Sequence, residues 1–434
     1  MNFGSDSKFM RFRGSCESSR FCEMLGIAHI VRRQVSSFYL PTLSFNLTPS
    51  LVSPSHPSDP RLAAVLLSGN RSAMDHEDDD PGLAGLSPEF QAMLGGMAGH
   101  SASFAKLMEK RTLSKQEEKA KDDETYLESY AELAIHEEML KDQPRVEAYR
   151  KAIEHYGSEW QSSAVVDVGA GTGLLSVFCA RFARRVVAVE ASRLSHFLRQ
   201  VAEKNAPKVV EVHECLAEQL ELEEKVDVIV SEWMGYCLLF ENMLPSVLSV
   251  RDRFLKPGGL MLPSRCRLLM APVEDPWRQQ KMDFWRDVHG VDMSPLAPLA
   301  AATFGCQHRL VRPEALTAEA VTVLELDIGT VKSAELDSFQ APLDLCLSGS
   351  RLDGFAFWFE CEFGAAGWLL STSPSAPETH WKQTLLYLRQ PLEASKVKGE
   401  VRFRRHESFT RGYRVTLELK APGRKLRSED FELR

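Results

Sequence analysis

Residues 164–190 read AVVDVGAGTGLLSVFCARFARRVVAVE. A short apolar run, AVVDV, meets the loop Gly169-Ala170-Gly171-Thr172-Gly173, and apolar residues at helical spacing follow in LLSVFCARFA. That order predicts strand, loop and helix. Glycine suits such a loop because a side chain would block the close approach of backbone to a ligand at the helix N-terminus. The segment RRVVAVE reads as a second buried strand ending on Glu190, placed to hydrogen-bond ribose hydroxyls in a doubly wound sheet. The third glycine comes one residue early for the dinucleotide pattern G-x-G-x-x-G, which counts against a nicotinamide dehydrogenase. The shorter G-x-G-x-G spacing is the form associated with S-adenosylmethionine.

A third strand-like run, KVDVIVSEWMGY, leads into LLFENML and carries Glu232 and Glu241 on either side of a loop at the carboxyl end of a strand. Ligands of open α/β sheets sit at such ends. Two converging carboxylates repel unless a cation lies between them, and a planar guanidinium is the cation whose fork of donors can engage both. Spacing alone fits an ordinary pair of surface acids at least as well.

Outward from this unit the chain has 434 residues, room for two or three folded units. It is 44 % hydrophobic and 26 % charged, a globular balance. The net charge of −8 argues against a general nucleic-acid binder and is compatible with basic protein partners. Nine cysteines without a CxxC pair imply a reducing compartment and neither a zinc site nor a disulfide framework. The longest uncharged stretch, about 34–58, is broken by prolines and serines and is no membrane span.

The charge is uneven. Residues 1–58 hold three acids against six basic residues, so the rest of the chain carries −11. This serine-rich, basic front has the composition of an organellar transit peptide. The alternative is a disordered segment outside the mature protein, with the acidic stretch MDHEDDDPG from Met74 as the true start. A short helix is expected at Pro88–Met97, and KRTLSKQEEKAKDD (residues 110–123) reads as a solvated helix or linker rather than a localisation signal, because acids mix with its lysines. Folded structure is expected to begin near Glu124, and the β-rich runs after Pro263 indicate a second domain of different class.

With these pieces in view, SEWMGYCLLFENML closely resembles the double-glutamate loop of protein arginine methyltransferases. VVDVGAGTGLLSVFCA resembles that family's cofactor loop, AIHEEMLKDQPRVEAYRKAI its N-terminal helical segment, and LSTSPSAPETHWKQTLLYL its Thr379-His380-Trp381 motif. The resemblance covers about residues 124–434. It implies a Rossmann-like S-adenosylmethionine-dependent methyltransferase domain (124–262, with N-terminal helices) followed by a β-barrel-like domain (263–434), with residues 1–123 as an extension. It also implies a cis bond before Pro263 and a helical dimerisation arm at about 277–300, and hence a homodimer.

The implied activity is methylation of protein arginines, in Arg-Gly-rich or histone-like segments, in the nucleus or cytoplasm, with S-adenosyl-L-methionine as cofactor and no metal, membrane or direct nucleic-acid partner. Carried over residue by residue, Glu232 and Glu241 are the catalytic glutamates. They would hold the guanidinium and leave electron density on the attacking nitrogen, which is otherwise a poor nucleophile. His380 pairs with Asp142, either to take up a proton or to fasten the N-terminal helix over the site. The cofactor set comprises Tyr130, His136, Met139, Arg145, Asp167, Gly169, Gly171, Gly173, Glu190 for the ribose and Glu218 for the adenine. Arg145 would supply the fixed cation for the cofactor's carboxylate. The substrate set comprises Tyr126, Met234, Tyr236, Met243 and Trp381.

Met139 and Met243 match two methionines associated with asymmetric dimethylation in type I members. Two features depart from the family's pattern: Leu127 replaces the aromatic of Tyr-Phe-x-x-Tyr, and ARFARRVVAVE lacks a turn glycine. Ala170 and the C-terminal motifs lean toward the type 2 or type 6 branch. A catalytically weak scaffold for arginine-rich proteins is the competing reading, which Leu127 favours and the retained glutamates oppose.

Overall fold

The computed structural model describes residues 115–433; the expectations for the transit-like front, for Met74 and for the helix at 88–97 lie outside the described residues. Helix α1 (Lys115–Ser129) starts ahead of the expected beginning at Glu124. The end of the charged run is not simply solvated: Asp122 accepts from the N–H and Oγ1 of Thr410 at 2.7 and 2.9 Å, and Asp123 pairs with Arg411 at 2.6 Å. Helices α2 (Leu133–Lys141) and α3 (Gln143–Gly157) follow. Asp142 separates them and caps α3 by accepting from the Arg145 N–H at 3.0 Å, with Pro144 just inside the helix.

The glycine-loop unit folds as its pattern predicts. Strands β1 (Ala164–Val168), β2 (Arg185–Val189), β3 (Val210–His213), β4 (Val226–Val230) and β5 (Leu255–Leu262) form a parallel sheet in the order β3-β2-β1-β4-β5. Helices α4 (Leu174–Ala180), α5 (Ser195–Asn205) and α6 (Leu244–Phe254) connect them. Every residue of β1 is buried, as a parallel strand covered on both faces must be. The strand order reverses between β1 and β4, and Val168 lies beside Val189 while Asp167 lies beside Val230. Gly169, Glu190 and Glu232, which follow these strands, therefore emerge at one edge, outside the carboxyl ends at the switch point.

The Leu262–Pro263 peptide is cis, and beyond it the sheets become antiparallel. One sheet contains β6 (Arg265–Val273), β7 (Cys306–Arg309), β8 (Val321–Asp327), β10 (Arg351–Phe363), β11 (Trp368–Ser371) and β12 (Gln383–Glu393). The other contains β9 (Ser338–Cys346), β13 (Lys396–Arg405), β14 (Tyr413–Lys420) and β15 (Arg427–Leu433). Burial alternates along β9, which turns one face to solvent, whereas β10 is buried almost throughout. Phe357 of β10 packs edge-on to Phe403 of β13 at 5.8 Å, which joins the two sheets in one barrel-like core. Each such fully buried ring contributes about 2–3 kcal/mol.

An arm leaves this domain between β6 and β7: α7 (Pro276–Asp283), two single 3₁₀ turns and α8 (Ala297–Ala302). Its root is polar and buried. Arg278 donates to the Asp353, Leu388 and Arg389 carbonyls, and Asp275 accepts from Arg309 and the Tyr387 hydroxyl. Its tip leaves Phe284 and Leu299 56 % and 62 % exposed, an apolar face without cover within the described chain. Among the described residues no helix is long and apolar enough to cross a membrane, and no cluster of metal-binding side chains occurs.

Candidate active site

The glycine loop makes the floor. Gly169 and Gly171 have φ of +71° and +55°, a left-handed backbone that side chains resist. Space is tight as well: a Cβ on Gly169 would meet the Met243 methyl at 2.2 Å and push that side chain aside, and one on Gly171 would press on the His136 ring at 3.3 Å. Glu190 accepts from the Gly171 N–H at 2.8 Å and the Ser192 N–H at 2.7 Å, which locks its carboxylate at the strand end. Asp167 accepts from Ser176 Oγ at 2.6 Å and keeps its other oxygen buried without a partner. Burial, with the Glu190 charge adding, pushes its carboxyl up to about 7 despite the Ser176 hydrogen bond.

The N-terminal segment closes over this floor. Buried His136 donates from Nε2 to the Tyr130 carbonyl at 2.9 Å, and the Tyr126 hydroxyl reaches the Met243 sulfur at 3.7 Å. Leu127, in the place of the missing aromatic, is half-buried. Glu218 lies apart from these groups at the surface, where Ser246 Oγ donates to it at 2.6 Å. Gly173 opens α4 with φ +86°.

Both glutamates are withdrawn from solvent, so the surface-pair reading of their spacing does not hold. The Glu232 side chain is 8 % exposed and receives the Arg145 fork, Nε at 2.9 Å and Nη2 at 2.8 Å, on Oε2; its other oxygen accepts from the Met234 N–H at 3.1 Å. Although burial opposes it, this pairing raises the Arg145 guanidinium above its ordinary value. Arg145, expected as a cation for the cofactor alone, thus also serves the first glutamate, and a further N–H goes to the Met139 carbonyl at 3.1 Å. Glu241 instead accepts from the Tyr130 hydroxyl at 2.7 Å, so this member of the expected cofactor set also touches the glutamate pair. Burial pushes its carboxyl up to about 7; the phenol works against the shift and the Glu232 charge adds to it.

On the other wall, Asp142 accepts from both the His380 N–H at 2.9 Å and its Nδ1 at 2.6 Å. Burial pulls the Asp142 carboxyl up, but these bonds and the Arg145 N–H outweigh it and hold the group below its ordinary range. Trp381 is buried, its Nε1 donating to the Met234 carbonyl at 2.9 Å, so it supports the glutamate loop rather than offering a surface to a substrate. Tyr236 stacks on His308 at 3.9 Å. Burial beside Lys382 pushes the His308 imidazole down to about 4, leaving a neutral ring. His308, Ser176, Ser192 and Arg411 stand outside the residues that the motifs single out. Each acts on a predicted site residue, and none belongs to a motif that would have drawn attention to it.

A parallel sheet with a left-handed glycine loop, an acid after β2 and two buried glutamates after β4 defines an S-adenosylmethionine-dependent methyltransferase. The sequence matches a methyltransferase domain over residues 165–259 and the arginine methyltransferase oligomerization subdomain over residues 264–424. It is 39 % identical over 351 residues to probable protein arginine N-methyltransferase 6 of Arabidopsis thaliana, covering 70 % of this chain and 80 % of that one. It is 38 % identical over 332 residues to protein arginine N-methyltransferase 6 of Xenopus laevis, covering 74 % and 98 %. Among solved structures, the PRMT1 enzyme-prozyme heterotetrameric complex of Trypanosoma brucei with AdoHcy superposes with TM-score 0.64 at 32 % identity, covering 70 % of this chain and all of that one. A crystal structure of PRMT6 superposes with TM-score 0.58 at 33 % identity, over 67 % and 100 %. The chain belongs to the protein arginine N-methyltransferase family.

Proposed function

We propose that this protein methylates arginine side chains of proteins and that its product is asymmetric dimethylarginine, reached through the monomethyl form. The observation that carries the reading is the pair of buried glutamates, one of which already holds a guanidinium in fork geometry. The residues fit the cofactor: a glycine cradle that a Cβ would fill, a fixed carboxylate at Glu190 and the half-partnered buried Asp167. S-adenosylmethionine, when bound, supplies the electrophilic methyl group. Gly169, Gly171, Glu190 and His136 would hold it, and Glu218 at the rim would meet its adenine.

Glu232 and Glu241 orient the incoming arginine and concentrate its positive charge on the nitrogens that do not react. Glu241, whose carboxyl burial raises to about 7, is only partly ionised at neutral pH and becomes fully charged when a cation arrives, so binding and activation of the arginine coincide. Asp142 joins α3 to His380 through three hydrogen bonds, which supports a fastening role for the His–Asp pair. Met243 lies against both Tyr126 and the glycine loop, where it narrows the space around the acceptor.

The acidic chain outside residues 1–58 favours Arg-Gly-rich or histone-like substrates, and the exposed arm tip favours a homodimer. The cysteines of the described residues are free, in keeping with nucleus or cytoplasm. The test is incubation of the full chain with labelled S-adenosylmethionine and an arginine-rich peptide, with the products identified by mass. Asymmetric dimethylarginine is the expected product. Symmetric product would overturn the type I assignment, and cofactor binding without transfer would favour the scaffold.

A further inference from the structure

Glu241 and Asn242 occupy left-handed backbone, with φ of +74° and +55°. In a glutamate such a conformation costs about 1–3 kcal/mol and persists only where the surroundings impose it, whereas asparagine adopts it more readily. The imposing contacts come from the loop between β13 and β14. The Glu241 N–H donates to the Arg411 carbonyl at 2.8 Å, and Arg411 Nη1 donates back to the Glu241 carbonyl at 2.6 Å. Asn242 Nδ2 donates to the Thr410 carbonyl at 3.2 Å. The same Arg411 guanidinium donates Nη2 to Asp123 at 2.6 Å and lies over the Tyr126 ring, 3.8 Å from its centroid.

We propose that Arg411 is a positioning residue for the second glutamate: it clamps the Glu241 backbone to the C-terminal sheet and fastens α1 against the site with the same planar group. The inference rests on the arginine-methylating reading and deepens it. Lysine cannot replace the clamp, because a point ammonium cannot stack on Tyr126 and bridge a carbonyl and a carboxylate in fixed directions. Arg411 also faces the Glu241 carboxyl as a cation. The other ionisable groups near that carboxyl are Tyr130 and Tyr126 from the N-terminal segment, Glu232 and Tyr236 from its own loop, and His380 from the C-terminal domain. The Arg411 and His380 charges favour the carboxylate, and the Glu232 charge opposes it.

The experiment measures kcat, KM and the pH dependence of kcat/KM on an arginine-rich peptide, using the full chain and its variants. Arg411→Gln is expected to lower kcat/KM by about tenfold or more and to move the acid limb up by about half a pH unit, because a cation that favours the carboxylate is gone. Arg411→Lys is expected to restore the limb but not the rate, a split that a merely structural role would not produce. Arg414→Gln, on the exposed face of the neighbouring strand, is the control and should change neither.

Should Arg411→Gln fail to fold, a cycle of Asp123→Asn with Arg411→Lys decides. Asp123→Asn is expected to lower kcat alone and to add nothing on top of Arg411→Lys. Superimposable acid limbs for a folded Arg411→Gln, or additive effects in the cycle, would overturn the clamp while leaving the methylating function standing. No methyl transfer by the unaltered chain would overturn the function and the clamp together.

Discussion

The loop 231–242 carries both glutamates, but its two ends are held by different halves of the molecule. At the first end Glu232 follows β4 by two residues and faces the Arg145 guanidinium of α3, all within the N-terminal half. At the second end Glu241 sits in left-handed backbone, takes a phenol rather than a cation on its carboxyl, and is tied to the β13–β14 loop of the C-terminal half. The same functional group is therefore matched with charge in one place and left short of it in the other. An arginine entering between them finds one acceptor already organised and one whose charge it completes.

The sharpest way to break this contrast is to neutralise each acid. Glu232→Gln and Glu241→Gln are both expected to lower kcat by about 10²–10³-fold, since both lie where positive charge must be held in the reaction. Only Glu232→Gln should also cost stability, about 3 kcal/mol, because it strands the buried Arg145 cation. Equal losses of melting temperature in the two variants would erase the difference between the ends. Next in size, Gly169→Ala should weaken cofactor binding about tenfold or more, measured by calorimetry, since it strains a left-handed turn and meets Met243.

A subtler contrast is titration. Glu241 moves from an ordinary value of 4.5 to about 7 on folding, so between those limits the folded chain binds more protons than the unfolded one. Stability is therefore expected to fall as pH rises through that window, with Asp167 acting in the same direction from 3.8 to about 7. Melting temperatures followed across pH should show this slope, and Glu241→Gln should flatten it. The acid limb of kcat/KM should lie near pH 7 for the same carboxyl.

The smallest effect concerns the fastening of α3. Asp142→Asn is expected to cost about 1–2 kcal/mol, while the pH–rate profile keeps its shape. A displaced limb in that profile would revive the proton relay. The depressed Asp142 carboxyl adds a stability term present above pH about 4 and lost as acid titrates the folded group below that value.

The legible and illegible parts of the site divide along the same line as the two ends of the loop. Gly169, Gly171 and Glu190 could be read because a parallel βαβ unit writes its ligand site into consecutive residues, with a turn that demands glycine and an acid at the next strand end. Glu232 and Glu241 were visible as a pair, but their spacing did not distinguish a buried site from a surface one. Burial, the Arg145 fork and the Tyr130 phenol decided that, and each arrives from another element. Trp381 was read as touching substrate, yet its indole is buried under the loop, a distinction that its motif does not contain. Asp122 and Asp123 looked like the end of a solvated run because their partners, Thr410 and Arg411, lie at the far end of the chain.

The sequence by itself determined the class of the protein: local periodicity specifies the strands and helices, and the order of motifs specifies a methyltransferase followed by a β domain. Only the tertiary structure decided how the two acids differ. The protonation of Glu241 and the hydrogen-bond partners of both acids depend on desolvation and on residues far apart in the chain, and neither leaves a periodic mark in the sequence.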